Sequence, residues 1–86
     1  MQRKWVGSPD YKLLINALKK ERIAAGLSQR ELARRLGKPP SFVNKIELLE
    51  RRLDILEFIA IARALDVSAD SLLLRLTEIL PEAINL

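Results

Sequence analysis

Eighty-six residues, 49% of them hydrophobic, suffice for one small domain with a modest core. With no cysteine and no histidine, the chain has no disulfides, no thiolate metal sites, no Cys or His nucleophile pairs and no imidazole proton shuttle, so neither an enzyme nor a metal or other cofactor is expected. The net charge of +4 is unevenly placed: residues 1–45 hold eleven Lys/Arg against three acids, +8, and residues 46–86 hold four against eight, −4.

Met1 to Gly7 is expected to be a basic arm with Arg3, Lys4 and an isolated Trp5. No apolar run approaches the ~18 residues of a membrane span and no signal-type apolar stretch follows the arm, so a soluble cytoplasmic protein is expected, with no membrane partner. Ser8-Pro9-Asp10 then reads as a helix start: Ser can cap, Pro fits the first turn, and Asp suits the positive end of the dipole. Leu14, Ile15 and Leu18 recur at helical spacing until about Ala25, where Gly26 stops the helix. Arg22 lies in the inward sector beside Leu18. An unpaired guanidinium there would be expensive, so a carboxylate partner is required.

Leu27 to Glu47 reads as helix, tight turn, helix. Ser28 with Glu31 three residues on is a capping-box signature, Leu32, Ala33 and Leu36 form one apolar face, and Gly37 supplies a residue that tolerates positive φ at the C-terminus. Pro39 and Pro40 can open the next helix but could not lie inside it. Val43 and Ile46 then face inward, leaving Phe42, Asn44 and Lys45 on other faces. A short helix of this kind, apolar inside and polar or basic outside, is what major-groove reading requires.

Asp54-Ile55-Leu56-Glu57 is a second box, opening a fourth helix that ends near Asp66 with Leu56, Ile59 and Ala60 as its inward stripe. Ser68 caps a fifth helix bearing Leu72, Leu73, Leu76, Ile79 and Leu80 until Pro81 interrupts it. The apolar positions from Leu72 to Leu86 are too many for a small domain to bury, so part of this surface is expected to meet another chain. The expected organisation is an arm (1–7), one domain (8–80) and an apolar tail (81–86).

The ordered string L-K-K-E-R-I-A-A-G-L-S-Q-R-E-L-A-R-R-L-G-K-P-P-S-F-V-N-K-I-E, with E-R-R-L-D-I-L-E-F-I-A-I-A-R-A-L-D-V after it, resembles the phage-repressor/Cro-like helix-turn-helix family over about two-thirds of the chain. The resemblance implies an all-α, compact five-helix lambda-repressor-like domain with its helix-turn-helix at helices two and three. It also implies a dimer that binds double-stranded DNA and regulates transcription, as a repressor, with no small-molecule substrate. By position it makes Gln29 a phosphate or flanking-base contact, and Pro40, Ser41, Asn44 and Lys45 the groove-facing positions. Phe42 is placed near a thymine methyl or packed at the helix edge, and Arg30, Arg34 and Lys38 become backbone clamps. Arg22 is paired with Glu47.

Three positions depart from the family pattern. Pro40 stands where a side-chain donor such as Gln is common, and Leu48-Leu49 replaces the usual Arg-Gly after the second motif helix. Leucine in a left-handed turn is strained, whereas it favours helix, so these residues mark a strongly diverged or engineered turn. They keep open a second function, an assembly module that retains the scaffold with weak or no DNA binding. They also allow a swapped dimer in which helices three and four run together through Ile46, Leu49, Leu53, Leu56 and Ala60. A closed five-helix protomer is preferred, because the box at Asp54 restarts a separate helix. In any arrangement, Leu48 and Leu49 are expected to be partly buried.

Overall fold

The structure, a computed structural model, describes residues 7–86. The Arg3, Lys4 and Trp5 of the expected arm lie outside the described residues. Five helices and no strand occur among the described residues: α1 Pro9–Ala24, α2 Gln29–Arg35, α3 Ser41–Glu47, α4 Ile55–Ala64 and α5 Ala69–Glu78. Their starts follow the local chemistry. The hydroxyls of Ser8, Ser28 and Ser68 accept from the backbone N–H three residues on, and Asp54 with Glu57 forms a complete capping box. At Ser28 only one arm of the expected box closes, because the Glu31 carboxylate turns instead to Arg34 and Arg35.

The first four helices end in one shared device, the Schellman motif, in which the two residues after the cap return their N–H groups to carbonyls of the last turn. Gly26 and Leu27 bond to Ile23 and Arg22; Gly37 and Lys38 to Arg34 and Ala33; Leu49 and Glu50 to Ile46 and Lys45; Asp66 and Val67 to Arg63 and Ala62. The motif needs a left-handed residue, and φ is +77° at Gly26, +67° at Gly37, +63° at Leu49 and +59° at Asp66. Leu49 therefore closes the turn that its helix propensity opposes. The strain is on the order of 1 kcal/mol, and packing of its half-buried side chain against the core offsets it. In this structure α3 and α4 are separate helices and the protomer is closed. Leu48, expected to be partly buried, is instead 57% exposed, because as the cap residue it points away from the core that receives Leu49.

The core joins Ile15 and Leu18 of α1, Leu32 and Ala33 of α2, Phe42, Val43 and Ile46 of α3, Phe58, Ile61 and Ala62 of α4, and Leu72 and Leu76 of α5. α3 packs between α2 and α1, while α4 and α5 close the other side. The expected inward stripe of α4 is corrected: Leu56 is 73% exposed, Ala60 is exposed and Ile59 only half-buried, whereas Phe58, Ile61 and Ala62 are buried. Seven of the first eight positions of α4 are Ile, Leu, Phe or Ala, on all sides, so spacing alone does not distinguish its faces. On α5 only Leu72 and Leu76 are buried; Leu73, Leu74 and Ile79 remain exposed. The 81–86 segment folds back onto the start of α1, where the Asn85 N–H donates to Asp10 Oδ2 (2.8 Å) and the Ser8 hydroxyl donates to the Asn85 carbonyl (3.1 Å).

Candidate nucleic-acid interface

The two motif helices are fixed from beneath by a buried polar knot. Arg22 of α1 donates through Nε to Glu47 Oε2 (2.8 Å), through Nη2 to Oε1 (3.1 Å), and through Nη1 to the Leu27 carbonyl (2.7 Å). The two side chains are 9% and 8% exposed, and the guanidinium fork meets the carboxylate in two bonds. The inward arginine thus has its carboxylate, at the last residue of α3. The Gln29 side-chain amide joins the same carboxylate, Nε2 to Oε1 at 2.7 Å. It braces the start of α2 against the end of α3, a bond no local pattern signals, since the residues stand eighteen apart in sequence.

With its inner side anchored by Val43 and Ile46, α3 leaves Ser41 and Lys45 exposed and Asn44 half-buried. Pro40 is exposed as the cap residue, makes no side-chain cap bond, and leaves the first turn to close through Phe42 N–H on the Pro39 carbonyl (2.9 Å). Of the two settings expected for Phe42, the structure shows the packed one: the residue is 9% exposed and belongs to the core. The second residue of α3 lies close enough to the inner stripe for a large ring to fold inward and bury its area.

The basic residues around the motif fall into two groups. Arg30, Lys38 and Lys45 are exposed and form no ion pair among the described residues. Arg34 is held by Glu31, which keeps the carboxyl below its ordinary range and the guanidinium above its own. Arg35 also donates to the Ala64 carbonyl at the end of α4 (2.8 Å), tying α2 to α4.

Arg51, in the loop after α3, was not singled out by sequence reasoning. Its guanidinium stands 4.7 Å from the Phe42 ring centroid, and Lys38 Nζ stands 5.4 Å from it. Arg51 also takes the Glu57 carboxylate by both terminal nitrogens, holding that carboxyl below and its own pKa above the usual range. The signal available in sequence was the box glutamate itself, which lies six residues beyond Arg51. Among the described residues no group of three His, Cys, Asp or Glu could hold a metal ion.

A family model described as helix-turn-helix matches residues 18–72. Among solved structures, an XRE-family-like protein from Pseudomonas syringae pv. tomato str. DC3000 is 44% identical over 84% of this chain and 88% of its own, with a TM-score of 0.75. A mutant of the restriction-modification controller protein C.Esp1396I is 27% identical over 83% of this chain and 90% of its own, with a TM-score of 0.74. The clp gene regulator ClgR from C. glutamicum shares the fold at 20% identity and a TM-score of 0.71, over 86% and 96% of the two chains. No curated protein matches significantly by sequence.

Proposed function

The chain belongs to the helix-turn-helix family, and from that membership we propose that it is a sequence-specific double-stranded DNA-binding transcriptional regulator, a repressor that acts as a dimer. One observation carries this reading: α3 is anchored by Val43, Ile46 and the Arg22–Glu47 pair, while Ser41, Asn44 and Lys45 stand outward beside unpaired Arg30 and Lys38. Lys45 suits guanine O6/N7, Asn44 suits adenine N6/N7, and Ser41 is less discriminating. Arg30 and Lys38 set the register on phosphates. Gln29, braced by its bond to Glu47, is the phosphate or flanking-base contact at the start of α2. The restriction-modification controller, at 27% identity, is by name a controller protein, which supports a regulatory role. A DNA target favours the cytoplasm; no described helix is long and apolar enough to cross a membrane.

A second copy is the partner that the exposed Leu73, Leu74 and Ile79 support, next to an apolar groove of about 200 Å³ between α1, the start of α4 and α5. Two recognition helices would then enter successive major grooves of a palindromic site, and bound protein would occlude the promoter. The second reading, an assembly module without DNA reading, draws on Pro40 at the entry of α3 and on exposed Leu48.

Titration into random duplex DNA at low and moderate salt separates the two, since salt-sensitive binding is expected of a regulator. Selection from a random duplex library would then recover the operator. Absence of binding at low salt would leave the assembly reading standing, and a monomer at micromolar concentration in light scattering would remove the dimer.

A further inference from the structure

We propose that Phe42 is the positioning residue of a two-cation clamp, Lys38 and Arg51, that grips the DNA phosphate backbone beside α3. The proposal rests on the DNA-binding reading above and assigns a role that the exposed residues of α3 do not fill. Lys38 comes from the turn before α3 and Arg51 from the loop after it, four residues beyond Glu47. Both converge on one ring, at 5.4 and 4.7 Å from its centroid, so the two charges can be no farther apart than the sum of those distances.

Two cations brought this close repel unless something fixes them, and three groups do so here. The ring faces attract each charge. The Glu57 carboxylate takes Arg51 through Nη1 (2.9 Å) and Nη2, and is itself fixed by the Asp54 N–H (3.0 Å). A further bond from Arg51 Nη1 to the Arg52 carbonyl (2.8 Å) ties the guanidinium to its own loop. Glu57 and, more weakly, Asp54 act on Arg51, whereas Lys38 is exposed with no ion pair among the described residues and the Arg51 side chain is 38% exposed. An exposed lysine and a fixed, partly exposed arginine held on one ring next to α3 are complementary to a strand of phosphates, which fixes register without reading bases. A leucine at position 42 would keep an apolar side chain in the core but offer no π face, so the ring adds to packing a hold on the two cations.

The test compares Phe42→Leu, Phe42→Tyr and Lys38→Ala with the unaltered chain, each checked for an unchanged helical spectrum and a cooperative melt. Duplex binding is measured at several salt concentrations on both a selected site and random DNA. Phe42→Leu is expected to weaken both about three- to tenfold alike and to flatten the plot of log K against log salt by about one to two phosphate contacts. Phe42→Tyr should restore both quantities, and Lys38→Ala should cost less on the Leu background than on Phe. Unchanged affinity and slope in Phe42→Leu would overturn the clamp, and a loss confined to the selected site would replace it with a base-reading role for the ring.

One measurement needs no DNA. The Lys38 side-chain methylene protons next to nitrogen should be shifted upfield by the ring current and lose that shift in Phe42→Leu. Their absence in the unaltered chain overturns the platform even if Phe42→Leu fails to fold. Their presence in a chain that binds no duplex at low salt would instead sink the DNA reading, and the clamp's role with it.

Discussion

Helix α3 is entered and left through the same turn made from different residues. Before α3 the left-handed position belongs to Gly37; after it, to Leu49. Both return two N–H groups to the preceding helix, at 3.0 and 2.9 Å in the first and 3.1 and 2.8 Å in the second, so the hydrogen bonding does not record which residue occupies the site. The difference lies in what holds each turn. Around Gly37 the space a Cβ would occupy is open, and the turn forms because glycine adopts it without strain. Around Leu49 the backbone is strained and tertiary contacts hold it: the leucine packs against the core, and Arg51 is pinned to Glu57 and Phe42 just beyond. A turn can be specified by its own residue or imposed by its neighbours, and this protein uses one method at each end of the same helix.

The largest effect is expected from removing the buried anchor at the end of α3. Glu47→Gln leaves the buried Arg22 without a counter-charge, and a loss of about 3–5 kcal/mol is expected in denaturant unfolding. A loss below about 1 kcal/mol would mean that the two turns and the core packing of Val43 and Ile46 fix α3 without the ion pair.

Next are the two lysines beside the turns. Lys45→Ala should weaken the selected site relative to random duplex by about 1–3 kcal/mol, whereas Lys38→Ala should weaken both alike. Equal behaviour of the two in paired binding titrations would exchange or erase their roles.

A smaller effect separates the turns themselves. Gly37→Ala meets no atoms and should cost about 1 kcal/mol from backbone strain alone. Leu49→Gly relieves a similar strain but loses packing and frees the unfolded chain, so its net change should stay within about 1 kcal/mol of zero. If the glycine variant of Leu49 is stabilised well beyond that, as read from the denaturant midpoint, the neighbours do not hold the turn.

The smallest effect is acidic. Glu57 titrates below its unfolded value because Arg51 bonds its charged form, so the stability it adds is full above the unfolded carboxylate value of about 4.3 and is lost as pH falls through its lower folded value. The amides of Glu50 and Arg51 should lose exchange protection in that window, while the Gly37 turn, whose nearby Glu31–Arg34 pair is on the surface, should change little.

The same contrast accounts for what could be read in advance. Local devices were legible: the caps at Ser8, Ser28, Asp54 and Ser68 and the glycine stops at Gly26 and Gly37 depend on residues three or four apart. Arg22 declared its need for a partner through burial cost, and resemblance supplied Glu47. What stayed hidden depends on distant packing. The buried face of α4 could not be chosen on a helix apolar nearly all round, the inward ring of Phe42 could not be told from an outward one, and nothing local joins Gln29 to Glu47 or Arg51 to Phe42. Leu49 was legible as an anomaly; that the fold would tolerate it was not.

The bond between Asn85 and Asp10 spans seventy-five residues and so closes nearly the whole domain into a ring. A ring of that size gains little local help, and its closing entropy is met only once the intervening helices have assembled. It is therefore among the last contacts to form and the first to open. The Asn85 amide, exposed and bound to a single carboxylate oxygen, serves as a natural reporter: its hydrogen exchange measures detachment of the tail separately from global unfolding, which the amides of α3 would record.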